Sequence, residues 1–364
     1  MATGWPMKTT YANGDVYSAS DVNDITGTIN LLGSSVAYTA GKNKIINGDF
    51  RINQRGFTSA TANQTYTFDR WVLACSAGVI TLTPQTFTAG TAPVAGYEGT
   101  NFIRSVTTVV STSNDVALLQ QRIEDVRTFA GQTMTLSFWA KAASGTPKIQ
   151  PTIEQNFGTG GSATVITIGT AVTLSTSWAR YTATFSVPSI SGKTIGTSSS
   201  LYIDLGLTIG TAQTAYGTIG TQAATIDIWG VQAENGSTAT AFQTATGTIQ
   251  GELAACQRYY IRFGGGSAYE NIGAGNTVSS TSGYAAVKLP VTLRSVPSSI
   301  EYSTLYFGPY GAAGGGAVTA LTIAANSKDS VWLAVTNTGN TADRFYPLFA
   351  NNSTSAYLGI TAEL

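Results

Sequence analysis

The 364-residue chain contains no histidine, which removes the usual general base of enzyme sites and the commonest metal ligand. Charge is scarce: only 10% of residues are charged, with 19 Lys and Arg against 19 Asp and Glu. No basic excess exists to neutralise a phosphate backbone, so no nucleic-acid partner is expected. Met1-Ala2-Thr3-Gly4-Trp5-Pro6 has neither a basic segment nor an apolar run, so no signal peptide is read there. No apolar stretch approaches the ~20 residues that span a bilayer, and no membrane insertion is expected. The only two cysteines, Cys75 and Cys256, give no disulfide framework. Reduced, buried thiols are the simpler reading. A nucleophile elbow, a paired CxxC and a phosphate loop are also missing. Acidic residues are sparse, and no spacing brings two of them to either side of a glycosidic bond. Glu124 and Asp125 are adjacent and would face opposite ways on a strand, which suits a turn or a salt-bridged strand end. The chain is therefore not expected to be an enzyme.

What is present favours strands. Gly occurs 40 times, and hydroxyl and β-branched residues are frequent where Lys and Glu are rare. A hydrophobic content of 43% is enough for packed cores, so low charge does not mean disorder. It implies a neutral, hydroxyl-rich surface, or one covered by other subunits. The length suits two domains and an extension. Strand-like runs separated by Gly, Ser, Thr and Asn are read at 78–88, 101–110, 117–126, 133–142, 149–156, 163–174, 180–187, 201–207 and 225–233. Many short strands with turn signals between them predict a sandwich or barrel. A joint is expected over 240–258, with one short helix over 247–257 carrying Ile249, Leu253 and Cys256. Further strands are read at 285–289, 305–310, 317–324, 331–336 and 357–363, enough for a small second core.

Residues 1–17 lack periodicity but hold Trp5, Tyr11 and Tyr17, which either dock onto another protein or rest on their own neighbours. Ser18-Ala19-Ser20-Asp21 then offers cap chemistry for a short helix. Val22, Ile25, Ile29, Leu32 and Val36 follow at a/d spacing, and β-branched residues there favour assemblies larger than dimers. An ordinary amphipathic helix fits the same pattern. Gly27 and Gly33 would each cost such a helix about 1 kcal/mol.

The stretch 44–57 organises the rest. Asn47-Gly48-Asp49 is turn chemistry, and Phe50 and Ile52 alternate with Arg51 and Asn53. It reads as the opening strand of the sandwich, with 225–242 as its closing strand. Asn47-Gly48-Asp49-Phe50, Asp69-Arg70-Trp71, Leu136-Ser137-Phe138-Trp139-Ala140-Lys141 and Ile226-Asp227-Ile228-Trp229-Gly230-Val231-Gln232 resemble the carbohydrate-binding-module-like jelly rolls of phage tail fibres. Glu252-Leu253-Ala254-Ala255-Cys256-Gln257-Arg258-Tyr259-Tyr260 and Leu289-Pro290-Val291-Thr292-Leu293-Arg294-Ser295-Val296-Pro297 are similar to segments further along such fibres.

The resemblance implies an all-β chain: an anchoring arm with a short coiled-coil-like helix (1–43), a jelly-roll β-sandwich (44–256) and a distal β domain (257–364). It implies a bacteriophage virion component made in the host cytoplasm without a signal peptide. Residues 1–43 would attach to another virion protein, and Val22 to Val36 would form the seam of a homotrimer. The outer end would meet a host cell-surface glycan or protein. A tail-spike glycan depolymerase and a capsid head fibre or decoration protein remain as alternatives. Some domains of this class hold a structural calcium, for which Asp49 and Asp227 are candidate ligands; a capped turn and backbone-bonded aspartate fit as well, and no other cofactor is expected. Sugar rings stack on aromatic faces, so Trp71, Trp139, Trp178 and Trp229 are candidates in the sandwich. Tyr306, Tyr310 and Trp332 are candidates in the distal unit, where core positions are the competing reading.

Overall fold

The computed structural model describes residues 41–76, 79–108, 112–311 and 313–364. The arm aromatics Trp5, Tyr11 and Tyr17, and the seam residues Val22, Ile25, Ile29, Leu32 and Val36, lie outside the described residues. What is described is almost entirely β-structure. The first strands are β1 (Thr65–Tyr66), β2 (Trp71–Cys75), β3 (Ile80–Thr86), β4 (Asn101–Thr107), β5 (Val116–Glu124) and β6 (Thr133–Ala142). They are followed by β7 (Lys148–Asn156), β8 (Val165–Ile168), β9 (Val172–Thr173), β10 (Ala179–Ser186), β11 (Ser200–Ile209) and β12 (Ala224–Asn235). One antiparallel sheet has the order β10-β6-β12-β4-β3, and the facing one runs β1-β2-β5-β11-β7-β8 with β9 also on β7. This is a jelly-roll sandwich.

Alternation decides which side chains fill it. On β6, Met134, Leu136, Phe138, Ala140 and Ala142 enter the core, while Trp139 and Lys141 take the outer face. β12 begins the same way, with Ile226 and Ile228 inward. A bulge between Trp229 and Gln232, with Gly230 at φ 64°, then changes the phase so that Val231 and Ala233 also point inward.

The expected opening strand over 44–57 does not form. Asn47 and Phe50 adopt φ of 57° and 55°, and Phe50 N donates to Asn47 O at 3.1 Å, so the chain turns where a strand would run straight. Side chains then satisfy the backbone. Asn47 Oδ1 accepts from Ile52 N at 2.9 Å, its Nδ2 donates to Ile52 O at 2.8 Å, and its own N donates to Glu252 at 2.8 Å. The segment still buries Ile45, Phe50, Ile52 and Phe57. The apolar residues are buried as expected, but by a turn and not by an extended strand.

Helix α1 (Ile249–Gln257) occupies the expected place, capped by Thr248 Oγ1, which accepts from Gly251 N at 3.0 Å. Its buried residues are Glu252 and Cys256, whereas Ile249 and Leu253 are exposed. Glu252 turns inward because its carboxylate accepts from Asn47 N, Thr246 N and Thr246 Oγ1. Cys75 and Cys256 are both buried and free.

Beyond α1 come β13 (Tyr260–Gly264), β14 (Asn271–Thr277), β15 (Ser282–Lys288), β16 (Ser299–Ser303) and β17 (Leu305–Phe307). β18 (Gly316–Ala317), β19 (Ala320–Asn326), β20 (Ser330–Thr336), β21 (Phe345–Ala350) and β22 (Tyr357–Thr361) follow. They form a three-stranded sheet, β13-β22-β16, and a seven-stranded one, β18-β17-β21-β14-β15-β20-β19. Ile261, Val287, Phe307, Leu333, Leu348 and Leu358 pack into a second core separate from that of the sandwich.

Candidate functional site

The outer face of the β10-β6-β12-β4-β3 sheet carries the chemistry. Cross-strand partners share a face, so the pairing of Asp227 with Arg104 and Lys141 and of Trp229 with Trp139 places all five outward. Asp227 accepts from Arg104 Nε at 2.7 Å and Nη2 at 2.9 Å, and Lys141 Nζ lies 3.7 Å from its Oδ2. The Asp227 hydrogen bond holds the Arg104 guanidinium above its usual pKa, against the effect of burial. Lys141, fixed at one end of this triad, sits 5.4 Å over the indole of Trp178.

Trp178 immediately precedes β10 and is only half-buried. Phe102 from β4 meets it edge-on at 5.5 Å, and Phe87 from the β3–β4 connection lies at 5.5 Å, with Phe87 and Phe102 4.7 Å apart. These rings, Lys141 and Thr86, Thr88 and Thr91 line a cavity of about 280 Å³. An aromatic wall, a fixed ammonium and several hydroxyls suit the apolar face and the hydroxyl rim of a sugar ring.

The other candidate aromatics divide by burial. Trp71 is fully buried, 5.2 Å from Phe50, and its Nε1 donates to Asn47 O at 2.9 Å. It is core and not a ligand platform. Trp229 is also fully buried, because Tyr97, Trp139 and Phe242 roof it at 5.6, 5.6 and 5.0 Å. Trp139 is half-buried beneath Arg180, whose guanidinium lies 4.7 Å over its ring. In the distal unit Tyr306 is half-buried beside Phe349, while Tyr310 and Trp332 are exposed.

The aspartates read as calcium ligands hold separate ion pairs. Asp227 is taken by Arg104 and Lys141, and Asp49 accepts from Tyr97 Oη at 2.7 Å and pairs with Arg51 at 3.0 Å. Among the described residues no three His, Cys, Asp or Glu side chains converge on a metal position. The two candidate ligands thus lie in separate networks, Asp227 with two basic groups and Asp49 with Arg51 and Tyr97, and do not converge on one position.

Sequence reasoning missed the carboxyl pair Glu154 and Asp204 on the outer face of the facing sheet. Asp204 is fully buried and accepts from Gln120 Nε2 at 2.8 Å. Burial, and then the charge of Glu154, push the Asp204 carboxyl well up, and burial raises Glu154 as well. The two titrate as a coupled pair, each carboxyl held above its ordinary proton affinity by burial. Only the register of β7 and β11, which sets Glu154 diagonal to Asp204, brings them together. No local motif announces it. Glu124 and Asp125 behave as a salt-bridged strand end, pairing with Arg258 at 2.9 Å and Arg127 at 3.0 Å.

Residues 88–206 match the sequence profile of a family described as a carbohydrate binding domain. No curated protein matches the chain. Among solved structures, a CBM4 carbohydrate-binding structure is 21% identical, with 52% of this chain and 98% of that one covered and a TM-score of 0.31. A CBM22-2 xylan-binding domain from Paenibacillus barcinonensis is 18% identical over 46% of this chain and 92% of that one, with a TM-score of 0.30. The enzymatically active domain of tailspike protein 4 of bacteriophage CBA120 is 15% identical over 53% of this chain, with a TM-score of 0.32. This chain spans 21% of that tailspike chain. Thr88, Thr91, Phe102, Lys141 and Trp178, five of the residues lining the cavity, fall within the span that matches the carbohydrate binding domain family.

Proposed function

We propose that the chain is a glycan-binding fibre subunit of a bacteriophage virion and that the Trp178 cavity is a sugar subsite. The observation that carries this reading is the half-buried Trp178 indole beside Lys141 and three threonines, within or next to the span that matches a carbohydrate binding domain family. In this reading residues 1–43 anchor the chain to a tail or capsid protein and Val22 to Val36 close a homotrimer, as the order of fibre-like motifs along the chain implies.

The activity is binding without cleavage. Glycoside hydrolysis needs two carboxyls about 5–9.5 Å apart across a bond, whereas Asp204 is fully buried and Glu154 nearly so, which keeps this pair from a bound glycan. Affinity electrophoresis of the full chain through gels containing host surface polysaccharide tests the reading. Retarded migration is expected, with the polysaccharide unchanged in length by size exclusion. Unretarded migration would overturn glycan binding, and shortened polysaccharide would replace binding alone with depolymerisation. Light scattering should give about three times the 37.8 kDa chain mass.

A further inference from the structure

We propose a second, independent glycan site on the outer face of the distal seven-stranded sheet, one that takes a neutral oligosaccharide. Ala285, Val287, Val331, Leu333 and Val335 of β15 and β20 fill the distal core, so alternate residues on these strands face outward. A half-buried antiparallel sheet normally makes that face polar. Here it displays Tyr284, Trp332 and Phe345, which are 44%, 52% and 70% exposed. The register sets Tyr284 opposite Asn276, Ala286 opposite both Ala274 and Trp332, and Asn276 opposite Phe345. The three rings therefore stand around a floor of small residues, Ala274, Gly275 and Ala286, and enclose a groove of about 380 Å³.

The lining carries no charged side chain, and its polar groups are the Tyr284 hydroxyl and Asn276, which is exposed and without a side-chain hydrogen bond among the described residues. Rings that take the apolar face of a pyranose, with an amide to bond a hydroxyl, match a neutral sugar, and no cation is there to pair with a carboxylated or sulfated one. The volume lies at the small end of ligand sites, which run from about 300 to 1,000 Å³. A second copy of the chain fits less well. Aromatic side chains present about 150–250 Å² each, so these partly exposed rings supply on the order of 300–400 Å², against roughly 800 Å² per partner in a stable interface.

The test uses the full chain carrying Trp178→Ala, which silences the sandwich cavity, and the same chain with Trp332→Ala added. The probes are an array of neutral hexasaccharides (xylan, cellulose and β-1,3-glucan fragments) and their acidic counterparts, read by tryptophan fluorescence titration. Saturable binding of a neutral hexasaccharide by the single variant, weakened at least tenfold in the double variant and again by Phe345→Ala, is expected. Absence of neutral-sugar binding by the single variant, or equal affinity in the double variant, would overturn the proposal whatever the Trp178 cavity does. Light scattering decides the remaining case: if Trp332→Ala lowers the assembled mass, the face is a contact between copies and the glycan assignment fails.

Discussion

Arg70 and Glu363 form an ion pair across 293 residues of sequence, with side chains only 2% and 7% exposed. Arg70 precedes β2 of the sandwich and Glu363 follows β22 of the distal unit, so the pair joins the two cores. The Arg70 guanidinium also lies 3.4 Å over the ring of Tyr259, and Arg55 lies 3.6 Å over Tyr260 while pairing with Glu363 at 3.3 Å. Burial opposes the Arg70 charge most strongly, but Glu363 together with Tyr259, Tyr66 and Cys256 holds the guanidinium above its usual pKa.

Glu363→Ala leaves that buried guanidinium without its counter-ion. Removing one partner of a buried pair costs about 3–5 kcal/mol, so urea unfolding should show a loss of this size. Replacing both partners, as Arg70→Met with Glu363→Leu, should cost less than the single change. A loss below about 1 kcal/mol for Glu363→Ala would contradict the joining role.

The Glu154–Asp204 pair makes stability depend on pH. Its folded-state proton affinity is raised above the ordinary carboxylate value of about 4. The folded chain therefore binds more protons than the unfolded one in the window above that value, and the pair's contribution is full below it and falls as pH rises. Asp204→Asn removes one ionisable member of the pair and keeps an acceptor for Gln120 Nε2. Asp69 and Glu252 shift in the same direction through burial, so the difference between variant and parent isolates the pair. The variant's relative stability should grow from pH 4 to pH 8 in urea titrations; parallel profiles would contradict the raised proton affinity of the pair.

Gly48→Ala tests the turn that replaced the expected strand. A Cβ at Gly48 would lie 2.1 Å from Val231 O, and Val231 N donates to Gly48 O at 2.9 Å. Neither backbone can yield without breaking that contact. A destabilisation of at least about 2 kcal/mol is expected in thermal or urea unfolding, and a neutral outcome would mean that the close approach is not maintained.

These cases mark what the sequence made legible. The strand over Thr133–Ala142 was readable because its apolar residues alternate within one run. β14, β16 and β21 were missed because Gly273, Gly275, Glu301 and Pro347 interrupt their apolar pattern. Asn47 and Phe50 misled because their left-handed backbone turns the chain while Phe50 and Ile52 both stay buried, as they would on a strand. Ile249 and Leu253 misled because hydrogen bonds drew Glu252 inward in their place. Of the sandwich tryptophans, only Trp178 lines the cavity, and that depended on Phe87 and Phe102, which local spacing does not connect to it.

The most direct measurement is calorimetric titration of the full chain and its Trp178→Ala variant with the host polysaccharide fragment that retards the parent in affinity gels, Trp332→Ala being present in both. Removing the stacking ring should weaken binding at least tenfold, about 1.4 kcal/mol, with circular dichroism and unfolding midpoint confirming the fold. Lys141→Ala should weaken it in the same direction. Undiminished affinity in a folded Trp178→Ala protein would contradict the assignment of the cavity as a sugar site.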